Sequence, residues 1–123
     1  MSCPFCNVSD AMRVGETSLL FALLDKHPVS AKHTLIIPKR HCENFFDLSK
    51  DEYSEMLYLL HDLRTRWMLE DDRITGFNMG MNCGESAGQT IMHCHVHLIP
   101  RRSRDVSDPR GGVRGVIPHK QSY

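Results

Sequence analysis

Runs and alternations of apolar residues divide the chain into stretches of different period. Thr17 to Leu24 mixes apolar and β-compatible residues and ends at the turn signal Asp25-Lys26-His27-Pro28, while Thr34-Leu35-Ile36-Ile37 is stopped by Pro38. Short apolar runs bounded by turn residues read as strands, so a hairpin through His27 to Lys32 is expected. From Lys50 to Glu70 the period changes, with Tyr53, Met56, Leu57, Leu60, Leu63 and Trp67 recurring at spacings of three and four. That is one apolar helical stripe, which should pack on a sheet. Ser49 followed by Glu52 has the spacing of a capping box, and Asp51 favours the positive end of the helix dipole.

Beyond the helix, Ile74 to Met81 is a weaker strand interrupted by Gly76. A loop from Asn82 to Thr90 follows, then a strand expected from Ile91 to Ile99 and closed by Pro100. In it Met92, Cys94, Val96 and Leu98 alternate with Ile91, His93, His95, His97 and Ile99. Side chains two apart share a face, so one face is apolar and the other presents three imidazoles. The glycines and prolines after Pro100 mark an irregular segment with at most one short strand, Val113 to Ile117.

At 123 residues the chain has room for one domain, 1–123, and one site. Its 15 Lys plus Arg balance 15 Asp plus Glu, which gives no reason to expect nucleic acid or an anionic membrane as partner. No stretch approaches the roughly 18 apolar residues of a membrane span, and Met1 to Cys6 lack the basic start and apolar run of a signal peptide. A cytoplasmic protein is expected. Five cysteines, an odd number, then read as thiols or metal ligands rather than a disulfide framework.

Three imidazoles on one exposed face suit metal ligation or phosphate chemistry. Near neutral pH one ring can attack as an unprotonated nucleophile while another carries a proton. Phosphoryl transfer needs that division, because charge gathers on the nonbridging oxygens and then on the departing one. Asn82-x-Gly84 and Ser86-Ala87-Gly88-Gln89-Thr90 add glycines that let backbone come close, and amide and hydroxyl groups that bond oxygen without net charge. Cys3-Pro4-Phe5-Cys6 has the two-thiolate spacing of zinc sites. Its rivals are redox chemistry or two buried thiols, although the polar, glycine-containing stretch Asn7 to Glu16 offers no strand-to-helix context for redox.

Gly88-Gln89-Thr90 with His93-x-His95-x-His97, together with Ala22 to Asp25, His33 to His41 and Asn82-x-Gly84, resembles the histidine triad family of nucleotide hydrolases and transferases from near Cys3 to about Arg102. The resemblance implies an α+β fold, a HIT-like antiparallel sheet with one long helix and a short irregular C-terminal segment. It also implies a homodimer that uses the helix at its interface. By that likeness His95 forms a covalent nucleotidyl-histidine, His97 bonds the phosphate region and helps the leaving group depart, and His33 is the outer histidine of the catalytic set. Asn82, Gln89 and Thr90 resemble ligands of phosphate oxygens, and Asp25 a carboxylate that holds the ribose hydroxyls. A structural zinc on Cys3, Cys6, His41 and His93 would tether residues 1–16 to the sheet and leave His95 and His97 as the reacting pair.

Two departures stand out. Lys32 occupies a position where the family commonly has glycine, and the tail from Asp108 to Pro118, within the expected tail 101–123 near the site, looks like the ending of a bacterial branch of dinucleoside polyphosphate hydrolases. Arg110 or Arg114 would then reach distal phosphates. The expected reaction is hydrolysis of a dinucleoside polyphosphate, with magnesium able to travel on the substrate. Hydrolysis of nucleoside phosphoramidates or adenylated small molecules, and non-enzymatic nucleotide binding, are the alternatives.

Overall fold

Strands made almost wholly of apolar residues must be covered on both faces, and the computed structural model, which describes residues 3–123, shows this at the centre of its sheet. Strands β1 (Gly15–Glu16), β2 (Leu20–Leu24), β3 (Thr34–Pro38), β4 (Ile74–Gly80) and β5 (Val96–Arg102) lie in the order β1-β2-β3-β5-β4, all neighbours antiparallel. Between β3 and β4 runs the long helix α1 (Lys50–Glu70). This is the expected α+β fold. No helix among the described residues is long and apolar enough to cross a membrane.

The helix starts where the capping box places it. Ser49 Oγ accepts from the Glu52 amide at 3.1 Å, and Glu52 Oε1 accepts from the Ser49 amide at 2.8 Å. Arg40 donates to the same carboxylate at 2.8 Å, so a buried acid is paired with a cation instead of being left alone. Met56, Leu59, Leu63 and Trp67 of α1 meet Leu20, Ala22, Ile36, Val96 and Leu98 on one face of the sheet. On the other face Phe21, Leu35 and Ile37 gather around Phe5.

The stripe differs from the expected one by an exchange of Leu57 for Leu59, with Tyr53 and Leu60 half-buried at its side. Leu59 is buried at 1% exposure, while Leu57 stands 63% exposed. Positions 56, 59, 63 and 67 are three or four apart and centre the buried face, which leaves Leu57 at its margin. Strand β2 begins at Leu20 rather than Thr17, because Thr17 and Leu20 close a turn in which the Leu20 amide donates to Thr17 Oγ1 at 3.1 Å. Val113–Val116 is a 3-10 turn rather than a strand, its Gly115 amide donating to Gly112 O at 3.1 Å.

The main correction concerns the histidine strand. Residues 91–95 are irregular, and β5 begins only at Val96. The β3–β5 ladder ends at Ile36–Val96. Beyond it Pro38 has no N–H to offer a ladder, and its carbonyl accepts from His93 Nε2 at 2.8 Å. The β4–β5 ladder ends likewise at Gly80–His97.

Because Leu59 and not the outward leucines carries the core, Leu59→Ala is expected to cost about 2–5 kcal/mol. Leu69→Ala, at a residue 82% exposed, should stay within about 0.5 kcal/mol of wild type. Urea unfolding at one protein concentration checks both, and equal costs would overturn this phasing of α1.

Candidate active site

Where the strand order stops, backbone carbonyls are free to receive imidazole protons, and each such bond decides what a ring can do. His93 is fully buried. Its Nε2–H donates to Pro38 O, so Nδ1 keeps its lone pair, and that atom lies 3.3 Å from Cys3 Sγ and 3.6 Å from Cys6 Sγ. Cys6 Sγ is 3.2 Å from His41 Nδ1. The four donor atoms lie within 4.8 Å of one another. A zinc tetrahedron with Zn–S about 2.3 Å and Zn–N about 2.0 Å has S···N edges near 3.5 Å, so the donor set fits such a metal in both chemistry and size. Proximity of the two sulfurs, through hydrogen bonding and burial, raises the Cys6 thiol. A bound cation would reverse that by favouring the thiolate.

His95 is anchored differently. Its Nδ1–H donates to the His93 carbonyl at 2.8 Å, so that in the neutral ring the lone pair lies on Nε2. The ring touches Phe5, centroids 5.2 Å apart, and His97, 5.5 Å apart.

His97 takes its tautomer from His33. The Val29 amide donates to His33 Nδ1 at 3.1 Å, so the His33 proton sits on Nε2, from which it reaches His97 Nδ1 at 2.8 Å. Neutral His97 therefore carries its proton on Nε2. Asp25 Oδ2 stands 3.4 Å from His33 Nε2, and Asp25, His33 and His97 also crowd within 4.8 Å. This second cluster is a proton chain and not a metal site, because the His33 nitrogen facing it has a hydrogen where a metal needs a lone pair. Burial holds His33 below the ordinary imidazole range, with Asp25 opposing in part. His97 is lowered by burial and by its two histidine neighbours.

A cavity of about 600 Å³ opens beside His33 and His97, with Asn82 on its wall. The loop beyond Asn82 needs glycine at Gly84 (φ 97) and Gly88 (φ 92), both in the left-handed region. Gln89 is buried, and its amide donates to Glu43 O and Ile91 O while accepting from the Gly84 amide. Both of its protons are used in shaping the loop. Thr90 is exposed.

From the tail, Gly112, Val113 and Val116 line the cavity, but Arg110 and Arg114 do not. Their guanidinium groups lie over the Tyr123 ring, at 5.3 and 4.9 Å. Asn78 and Arg101 line the cavity without having been singled out in the sequence. Arg101 donates to Asn78 Oδ1 at 2.6 Å and is held by both oxygens of Asp105. Only the β4–β5 register could have pointed to it. Met1 and Ser2 of the N-terminal segment lie outside the described residues.

The family described as HIT domain matches residues 7–104. The chain is 36% identical over 89 residues to a bis(5′-adenosyl)-triphosphatase of Dictyostelium discoideum, covering 72% of this chain and 59% of that one. It is 31% identical over 108 residues to an adenosine 5′-monophosphoramidase of Candida albicans, covering 82% and 71%. Among solved structures, a HIT family protein from Bacillus anthracis superposes with a TM-score of 0.76 at 36% identity, covering 84% of this chain and 75% of the other. A Zn-bound histidine triad family protein from Mycobacterium smegmatis gives 0.74 at 31% identity, covering 87% and 80%.

Neutral His33, buried, and neutral His97, half-buried, contribute stability that is complete above pH 6.5, the ordinary imidazole value, and is lost as pH falls toward their lower folded values. The melting temperature of the wild type should therefore fall more steeply on acidification below pH 6.5 than that of a His33→Gln/His97→Gln variant. Parallel slopes would refute the assignment.

Proposed function

Because the chain belongs to the HIT domain family, related to hydrolases of that family, we propose that it cleaves a phosphoanhydride of a dinucleoside polyphosphate through a nucleotide covalently held on His95. The observation that carries this reading is the His95 Nδ1–H to His93 carbonyl bond, which leaves Nε2 as a free lone pair. In the first displacement Nε2 bonds to the α-phosphorus as the bond to the bridging oxygen breaks. His97, whose neutral ring carries its proton on Nε2, is suited to donate a hydrogen bond to the departing oxygen as charge gathers there, and His33 holds it in that tautomer. Water then breaks the phosphorus–nitrogen bond, releasing the mononucleotide and restoring His95. Two-step covalent catalysis of this kind replaces one high barrier by two lower ones.

Asp25 is assigned to the ribose hydroxyls, and Asn82 and Thr90 to phosphate oxygens. Gln89 supports them by fixing the loop. With Arg110 and Arg114 stacked on Tyr123, a role for either at distal phosphates requires the tail to rearrange. Any magnesium would arrive on the polyphosphate. A phosphoramidate or another adenylated small molecule is the second reading, favoured by the likeness to the monophosphoramidase. It uses the same nucleophile with a different leaving group.

The Cys3, Cys6, His41 and His93 set is assigned to a structural zinc that fixes the N-terminal turn to the sheet. When bound, the metal would supply cross-linking and no open position for chemistry. A homodimer is proposed across β4, an edge strand, and the neighbouring apolar groove that includes Leu57, Leu60, Phe77 and Met79, of which Leu57 and Met79 are largely exposed.

Brief mixing with diadenosine tetraphosphate or adenosine 5′-phosphoramidate, followed by intact-protein mass measurement, should reveal an added mononucleotide on His95. His95→Ala should lose the adduct and at least about a thousandfold in turnover. Normal hydrolysis by that variant without any adduct would sink the proposal. The ratio of turnover on the two compounds decides between the substrate classes.

Elemental analysis of the purified protein should give one zinc per chain, and Cys3→Ser/Cys6→Ser should lose it. Retention of zinc by that variant would overturn the ligand assignment.

A further inference from the structure

Phe5 stands inside the Cys3–Cys6 turn, yet its ring belongs to the other half of the molecule. It is 9% exposed and packs with Phe21, Leu35 and Ile37 on the sheet face that carries the site. Its edge meets His93 at 5.8 Å and 87°, and His95 at 5.2 Å and 60°. One side chain thus touches both a candidate metal ligand and the candidate nucleophile. The turn that carries it is closed by the Cys6 amide donating to Cys3 O at 3.2 Å, with each flanking sulfur next to a histidine nitrogen.

His95 needs such a neighbour. Its residue lies outside any ladder, because β5 begins at Val96, and among the described residues its ring has a single hydrogen bond, to the His93 carbonyl. One bond at Nδ1 fixes the tautomer but leaves the ring plane free to swing about the bond to the backbone. Packing must set that plane, and among the described residues its aromatic neighbours are Phe5 and His97.

We propose that Phe5 is a positioning residue for His95, so that the Cys3–Cys6 turn sets the orientation of the nucleophile as well as tethering the N-terminus. The inference rests on His95 being the nucleophile and on the metal assignment above. A turn anchored by its sulfurs presses Phe5 into the apolar pocket and holds the His95 plane in line with phosphorus. Released from the metal, the same turn keeps Phe5 only by apolar contact. Misalignment of a nucleophile by about 1 Å can cost about a hundredfold in rate, so a side chain that never touches phosphorus can still govern the chemical step.

Phe5→Leu preserves an apolar side chain while removing the flat ring. With diadenosine tetraphosphate it should lower kcat about tenfold to a hundredfold with KM within about threefold of wild type, and zinc content should be unchanged. Ring-current shielding of the His95 ring protons by Phe5 gives a readout free of catalysis. Those resonances, assigned by comparison with His95→Ala, should move in Phe5→Leu and also in chelator-treated wild type. A rise in KM with unchanged kcat would overturn the proposal by making Phe5 a wall of the substrate site, and so would loss of zinc from Phe5→Leu. Unmoved His95 resonances in both samples would overturn it as well, and the chelated wild type gives this answer even if Phe5→Leu fails to fold. Absence of any adduct in the wild type would defeat the nucleophile reading, whereas the resonance shift tests the Phe5 contact separately.

Discussion

A carbonyl oxygen can only accept a hydrogen bond, and that constraint decides which nitrogen of each imidazole is left for chemistry. Pro38 O takes the proton of His93 Nε2 and turns Nδ1 to the sulfurs, and His93 O takes the proton of His95 Nδ1 and frees Nε2. The Val29 amide works in the opposite sense, occupying the lone pair of His33 and passing a proton-donating face to His97. Three imidazoles within five positions thereby take two tautomers and three different sets of partners. A regular strand through 91–95 would place the three rings alike and commit the His93 carbonyl to a neighbouring strand. The irregularity is therefore what separates a candidate ligand from a candidate nucleophile.

Local features of this protein were readable from its sequence because local chemistry determines them. The capping box at Ser49 and Glu52 needs only residues three apart, and the apolar runs of β2 and β3 need only their own side chains to demand cover on both faces. The histidine cluster and the Cys-x-x-Cys turn were likewise visible as residue types, and their partners followed from resemblance to a family. The start of β5 was not readable. Pro38 announces the end of its own strand, but that it lies opposite the approach to His95, and so delays the start of that strand, is a matter of register between segments far apart in the chain. Leu57 and Leu59 differ by two residues on one helix, and only the angle at which α1 meets the sheet chooses between them.

Other positions show how tertiary context changes a residue's use. Gln89 has the composition of a ligand-binding amide, yet both its protons serve carbonyls of the chain. Lys32 adopts φ 71, the left-handed conformation that favours glycine. Its ammonium rests 4.7 Å over Trp67 and 3.7 Å from Glu70, and its carbonyl accepts from Thr34 Oγ1, which in turn accepts from Trp67 Nε1. A lysine at the glycine position thus ties the residue before His33 to the end of α1. Contacts of this kind offset part of the strain of a left-handed residue, about 1 kcal/mol or more.

Satisfaction of buried polar groups supplies the last link. Removing an imidazole from water without partners costs on the order of 1–3 kcal/mol per lost bond, so His33 and His93, both nearly inaccessible, hold partners at both ring nitrogens. His95 and His97 are less buried, and each has one ring nitrogen with no hydrogen-bond partner among the described residues. On His95 that atom has a lone pair, and on neutral His97 it has a proton. An enclosed site that satisfied every nitrogen would be inert. This one leaves a lone pair and a hydrogen-bond donor on neighbouring outward positions of one chain segment, which is what the proposed attack on phosphorus and departure of an oxygen would use.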